Sequence, residues 1–537
     1  MGRASMSIGD VELLFADAWA AHNRAEIAAI VRADEPGAAT AAAGRAEAAI
    51  EAATAALDSL EGAQLGDEDR RARTTMRVTL ELLGSGDSAH SAVIDGPAAE
   101  GDNRPADVVL AAEGLAALTR RTMAGYSAAA DSIDIGEATV GRLDVLGRLA
   151  TEPDPDRRRA LFMALEPMWR TVDGDGGPTS PFRVAAAATA ETWKGGGSPV
   201  DLNARGLGID PADVEPWLRT ILATWRDVAV TGSVEPWDLR FENGAFNREM
   251  DGELPLAELV RINHAWYDSL GADPAALGID YDIAPRPGRG PVPVAFALDV
   301  DVPRRTADGW TAGEQWGLAS YGRPRIPDLG ELLHETGHAI HYRAVRTRPA
   351  FAPMTDQLNT LVEALGELVA WDLFEPSWQR RYLDRAQPVA TNLRARYGEV
   401  ILDVAWSLFE IETYKAPGRS PNDVWTAITS DYLGVVAHPE WSWWAVRGQL
   451  VQSPGYMVNY GLGAIITADL RAHLRAVRGD WTDGDPGWYE AVSRAIYRWG
   501  SERLPGDVLT EFLGRPVSTD ALVTDLRRMA GTSTKGA

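Results

Sequence analysis

Over residues 8–169 apolar positions recur at three- and four-residue intervals in a text rich in Ala, Leu, Glu and Arg, as in 38–60. That period lays one apolar stripe along a helix and predicts a series of antiparallel helices. Gly, Pro, Ser and Asp gather at 84–87, 96–105 and 152–156, where the helices should turn. No fixed period separates these breaks, so a solenoid is not expected. Two Gly-rich stretches, 173–181 and 194–199, interrupt the pattern and read as surface loops or as a boundary. A helix is predicted again over 211–228. The segment 291–302, PVPVAFALDVDV, alternates and carries β-branched residues, which predicts a strand. Helical periodicity returns over 328–529, and the tail GTSTKGA reads as frayed. The expected organisation is a helical N-terminal region over 1–180 and a second region over 181–537, interlocked in one unit.

Composition narrows the class. With 45% hydrophobic and 24% charged residues, the 537-residue chain is ordinary globular material. Its formal charge of −25 argues against nucleic acid as a partner, because phosphate contact is built from clustered Lys and Arg; acidity on this scale reads as a solvated surface. The absence of cysteine excludes disulfides, thiolate zinc sites, iron–sulfur clusters and cysteine nucleophiles together. Any metal must therefore sit on imidazoles and carboxylates. The N-terminus lacks a signal-like apolar run, and no segment offers the roughly 18 uninterrupted apolar residues of a membrane span. The expectation is a cytoplasmic protein without membrane partners.

The segment DLGELLHETGHAIHYRAV, from Asp328, contains H-E-x-x-H as His334, Glu335 and His338. Residues four apart share a helix face, so both imidazoles can reach one ion while Glu335 stands beside its water. Zinc in a catalytic site takes three protein ligands and keeps a fourth position for water, whose pKa falls to about 7. Flanking Leu332, Leu333, Ala339 and Ile340 imply a buried helix, where unpaired imidazoles are costly. A third ligand should come from a second buried helix, and TLVEALGELVAWDLF over 360–374 supplies one. Glu363 is its first acid. Glu367, four residues on, either orients a ligand histidine or is a solvated surface acid.

These residues resemble the thimet oligopeptidase and oligoendopeptidase family of zinc metallopeptidases. The evidence is HETGHAIH from His334, followed 25 residues after its second histidine by LVEA around Glu363. Further matching segments follow in order: PWDLRFEN from Pro236, FEIETYKAP from Phe409 with DVWTAITSDYLGV after it, and PGYMVNYGLG from Pro454. The resemblance implies a mainly α, two-lobed molecule with a deep central channel, a small β element near the zinc helix and one Zn²⁺ per chain on His334, His338 and Glu363. It implies hydrolysis of short peptides, with Glu335 as general base and Tyr456 and Tyr460 as donors to the oxyanion. The 291–302 strand falls where that family has an edge strand lining the channel, and an extended substrate could pair with such an edge.

One position departs from the pattern. The family usually carries a histidine shortly before the first of these tyrosines, and the stretch AVRGQLVQSPG over 445–455 has none. Arg447, Gln449, Gln452 or a displaced His438 are the alternative donors. This departure keeps two other readings open: a hydrolase of the same architecture acting on a specialised amide, and a non-catalytic zinc protein that binds peptides.

Overall fold

The computed structural model describes residues 6–31, 36–85, 105–194, 197–285, 295–307, 309–353 and 360–531. The expected turns at 84–87 and 96–105 fall largely outside these residues, as do most of the tail, a third of the 194–199 loop and the start of the predicted strand.

The three-and-four periodicity is realised as helices almost throughout. Ile8–Val31, Pro36–Asp58 and Asp67–Ser85 close on a small core of Val11, Phe15, Leu57, Met76 and Leu80, to which Phe351 from the far part of the chain is added. Arg348 fastens this unit by ion pairs to Glu12 at 2.7 Å and to Glu68 and Asp69 at 3.0 Å each. Most of the remaining helices share one continuous core that runs from Tyr126 to Met529, while Ala106–Glu113 packs in a small cluster of its own with Leu118 and Ala185. The continuous core therefore passes through the 180/181 position without a break. The Gly-rich stretch at 173–181 is a tight surface loop in which Gly174 and Gly176 adopt positive φ. Tryptophan fills much of the core: Trp169, Trp266, Trp406, Trp425 and Trp488 are fully buried. No helix among the described residues is long and apolar enough to cross a membrane.

The β content is small. A three-stranded sheet has Gln315–Leu318 at its centre, parallel to Ile279–Asp282 and antiparallel to Phe296–Asp299. Two short hairpins, Ile133–Asp134 with Thr139–Val140 and Arg304–Thr306 with Gly309–Thr311, complete it. The predicted strand is thus shorter than its pattern: it ends at Asp299. Beyond that point the chain turns, and the backbone of Asp301 presses so closely on Gly313 that a Cβ there would overlap the Asp301 carbonyl. The two partner strands, IDYD and QWGL, are only four residues long; the first alternates for two cycles and the second not at all, too little to reveal them.

A buried ionic cluster locks three helical segments beneath the sheet-flanked face. The Asp372 carboxylate, fully buried, accepts from the Arg471 guanidinium at 2.6 Å and the Trp481 indole at 2.8 Å. Arg471 also donates to the Leu368 carbonyl at 2.6 Å. This ties the end of helix Thr360–Ala370 to helix Met457–Arg478. Removing one partner of such a pair strands the other charge in the interior. Asp372→Ala should therefore destabilise the fold by about 3–5 kcal/mol, read as a lowered midpoint in urea unfolding; an unchanged midpoint would refute this role for the cluster.

Candidate metal centre

The motif lies on helix Ile326–Ala344, which begins with Pro327 in its first turn and the Asp328 carboxylate accepting from the Arg325 amide at 2.6 Å. The helix is buried along Leu329, Leu332, Leu333, Ala339 and Ile340, so its register is fixed by the core. The Tyr267 hydroxyl donates to the Leu333 carbonyl immediately before the first histidine. Helix Thr360–Ala370 packs across it at a point where only glycine fits. A Cβ on Gly337 would overlap the Gly366 carbonyl, and one on Gly366 would stand 2.6 Å from the His338 ring.

This close crossing brings the three expected ligands together. The Nε2 atoms of His334 and His338 face one another at 2.9 Å with their rings nearly perpendicular, at 87°. Glu363 Oε2 lies 3.7 Å from His334 Nε2, and the donor atoms of the three residues all fall within 4.8 Å of one another. Glu335 stands at the edge of the cluster, with Oε1 3.9 Å from His334 Nε2. Glu367 takes the far side of the same ring, 3.3 Å from Nδ1. Two imidazoles with unblocked Nε2 atoms and one carboxylate converging on a common point form a donor set that fits a divalent ion such as zinc. In a chain without cysteine no softer donor competes.

The electrostatics reflect this crowding of acids around imidazole. Burial raises the Glu335 carboxyl to about 8, with Glu363 and Glu331 adding repulsion against the pull of His334. Burial also raises Glu363. Burial by itself would depress the His334 imidazolium, yet Glu367, Glu335 and Glu363 together hold it up at about 10. His341, by contrast, is packed against Tyr342 and Tyr497 and is held by burial at about 3, so it is a neutral packing residue.

The strand Phe296–Asp299 runs along the motif helix as an edge of its sheet. Its outward amides are not vacant: Ala295 N–H donates to Glu331 at 3.0 Å, and Ala297 N–H donates to Glu335. The strand thus reaches the expected base through a backbone amide.

Tyr456 and Tyr460 open helix Met457–Arg478, the first as its N-cap, with rings 5.5 Å apart and edge to face. Burial raises both phenols, Tyr460 to about 12, and Glu363 acts on each. The turn before them is built by Gly455 at positive φ and by Glu410, which sequence reasoning passed over. Glu410 is buried on helix Val389–Lys415 and accepts from the amides of Gly455 at 2.7 Å and Met457 at 2.9 Å. Its signal was a lone acid within the apolar run Leu408-Phe409-Glu410-Ile411.

Of the four alternatives to the family's histidine, Arg447 stands beside Tyr460. Its guanidinium pairs with Asp403 and lies 5.7 Å from the Tyr460 ring. His438 is committed elsewhere, bonded to Glu440 at 2.7 Å and Glu235 at 3.0 Å and stacked on Trp441.

No protein-family model matches this sequence, and no curated protein matches it either. Solved structures match the fold over the whole chain. A carboxypeptidase from Pyrococcus furiosus aligns with 98% of this chain and 100% of its own at 12% identity and a TM-score of 0.53. A carboxypeptidase from Deinococcus radiodurans covers 98% of each chain at 13% identity and a TM-score of 0.52. PZ peptidase A covers 100% of this chain and 99% of its own at 13% identity and a TM-score of 0.55. The mainly helical architecture expected from the sequence is therefore shared with peptidases of carboxypeptidase and oligopeptidase type.

Two outcomes follow from the packing. Gly366→Ala favours an isolated helix by roughly 1 kcal/mol, but here it must displace the His338 ring. Zinc affinity, measured by chelator competition, should fall about 10- to 100-fold, as for other lost supports of a ligand; undiminished affinity would show that the crossing does not aim His338. Glu410 yields a pH signature. Burial raises its carboxyl to about 8 despite the amide donors of Gly455, Met457 and Val458. Between the ordinary glutamate range and about 8 the unfolded chain has released this proton while the fold retains it, so stability falls as pH rises through that window. Glu410→Gln, fixed neutral, should lose this slope relative to wild type in urea titrations from pH 5 to pH 8; parallel profiles would contradict it.

Proposed function

We propose that the chain is a zinc-dependent peptidase acting on short peptides. The observation that carries this reading is the convergence of His334 Nε2, His338 Nε2 and the Glu363 carboxylate within 4.8 Å, with the Glu335 carboxylate beside them. The fold, shared with carboxypeptidases and PZ peptidase A, supports it.

His334, His338 and Glu363 would hold the ion, and Glu367 would fix the His334 ring through its other nitrogen. The metal, when bound, supplies Lewis acidity that acidifies water and polarises a carbonyl. The remaining work belongs to the chain. Glu335, held between its ligand neighbours and the Ala297 amide, takes the proton of the attacking water and passes it to the departing amine. The phenols of Tyr456 and Tyr460, kept protonated by burial, donate to the oxygen on which negative charge develops. Such donors are worth about 2.7–4 kcal/mol of barrier at other oxyanion sites.

The experiment pairs metal analysis with mass-spectrometric cleavage of a mixed library of short peptides. One zinc per chain is expected in wild type and in Glu335→Gln, with turnover lost only in the latter; Glu363→Ala, His334→Ala and His338→Ala should lose metal. Zinc without peptide cleavage would transfer the reading to a specialised amide or to peptide capture. A Glu335→Gln protein running near the wild-type rate would remove Glu335 from its role.

A further inference from the structure

Helix Val389–Lys415 lies deep in the core, yet one of its faces is polar. Asp403, Ser407, Glu410 and Tyr414 stand at i, i+4, i+7 and i+11, which aligns them in a single stripe. Ser407 and Glu410 are enclosed, at 0% and 1% exposure. Every member of the stripe bonds to the same stretch of chain, the one that leads into the tyrosine helix. The Asp403 carboxylate holds the Arg447 guanidinium, which lies 5.7 Å from the Tyr460 ring centroid. The Ser407 hydroxyl donates to the Met457 carbonyl at 2.7 Å, and a Cβ on Gly461 would stand 2.9 Å from that hydroxyl oxygen. The two Glu410 oxygens accept one amide on each side of Tyr456, those of Gly455 and Met457. The Tyr414 hydroxyl donates to the Leu450 carbonyl at 3.3 Å.

A buried helix packs most readily with apolar side chains, and each polar group enclosed there needs a partner. Holding the tyrosine helix in the core does not call for such a stripe, because that helix is fastened independently further along. The Thr467 hydroxyl donates to the Ala364 carbonyl at 3.1 Å, and Gly463 lets the helix lie close to the Thr360 carbonyl and the Cβ of Glu363. Arg471 reaches Asp372 one turn later. Tyr460 lies one turn before Gly463 on the same face, which sets it beside the helix of Glu363. The stripe acts on the first turn and the stretch leading into it, the part that carries the phenols.

We propose that this stripe is the positioning element for the tyrosine side of the site. Glu410 and Ser407 set the Tyr456 turn, and Asp403, through Arg447, sets the Tyr460 ring, so that both hydroxyls stand at fixed places relative to the metal cluster. That the hydroxyls serve as oxyanion donors rests on the reading above; that their placement comes from Asp403, Ser407 and Glu410 rests on the bonds just described. These three are positioning residues, since they act through Tyr456, Arg447 and Tyr460. A displacement of about 1 Å near a reacting group can cost roughly a hundredfold in rate, so the stripe governs turnover without governing metal binding.

The test uses the full zinc-loaded chain labelled with 3-fluorotyrosine, the two resonances of interest being assigned by Tyr456→Phe and Tyr460→Phe. Glu410→Met and Ser407→Ala should displace the fluorine resonance of Tyr456, and Asp403→Leu that of Tyr460, while zinc affinity by chelator competition stays at the wild-type value. With a peptide that the wild type cuts, Glu410→Met and Asp403→Leu should lower kcat about 10- to 100-fold and Ser407→Ala about tenfold, with little change in KM. Ser407→Ala removes a single hydroxyl, so it carries the test if a larger replacement fails to fold. The conservative Asp403→Asn and Glu410→Gln, which keep an acceptor, should recover part of the turnover. Val404→Ala opens a cavity off the stripe on the same helix; it should lower the urea midpoint without moving either resonance. Unmoved resonances, an unchanged kcat, zinc affinity that falls in step with kcat, or the same shifts from Val404→Ala would overturn the inference. A wild type that cuts no peptide removes the peptidase reading instead, and the fluorine resonances, recorded without substrate, then decide the positioning by themselves.

Discussion

The site depends on how closely two helices can approach. Gly337 and Gly366 let the backbone of helix Thr360–Ala370 lie directly against the motif helix, with the His338 ring seated over Gly366. A side chain at either position would force the helices apart by more than the slack available between donor atoms that already sit 2.9 and 3.7 Å from one another. The same crossing places Glu363 and Glu367 on opposite sides of the His334 ring, one toward each nitrogen. A single contact between two residues without side chains thus brings the candidate ligands together and sets the His334 ring between two carboxylates.

Other elements hold that crossing under load. The region concentrates Glu331, Glu335, Glu363 and Glu367 around one imidazole pair, and burial works against the ionised forms of Glu331, Glu335 and Glu363. The fold opposes this strain by rigid means: the edge strand donates alternate amides to Glu331 and Glu335, and the Asp372–Arg471 pair clamps the second helix to the tyrosine helix behind it. Glu410 does the corresponding task on the tyrosine side by capping amides at the start of the helix that carries Tyr460. Positioning is therefore distributed over parts of the chain more than a hundred residues apart, while the chemistry sits on a handful of side chains.

That division explains what could be read in advance. The helices were legible because a buried stripe repeats every few residues, and the candidate cluster of His334, His338 and Glu363 was legible because H-E-x-x-H and LVEA are local words whose spacing is set by helix geometry. The groups that aim them were not. Gly366 reads as an indifferent residue until the helix it touches is known, and Glu410 reads as an unexplained acid on an apolar face until the Gly455 turn is placed against it. The strand was predicted too long because alternation persists past Asp299, where a backbone contact with Gly313, invisible to periodicity, turns the chain away. Its two neighbours were missed because four residues are too few for a period to stand out, whether it is present as in IDYD or absent as in QWGL.

The missing histidine shows how a local departure is absorbed by long-range structure. The stretch 445–455 provides no imidazole, and the nearby His438 is held away by two carboxylates and a tryptophan face. What stands beside Tyr460 instead is Arg447, a group that stays charged at any working pH and accepts no proton. An imidazole there could donate, accept and titrate; a guanidinium can only donate, and it does so as a fixed cation. The change moves the tyrosine side of the site from proton chemistry towards permanent charge. A substitution that looks in the sequence like the loss of a catalytic donor is, in the folded chain, the placing of a guanidinium already paired with Asp403 against the Tyr460 ring.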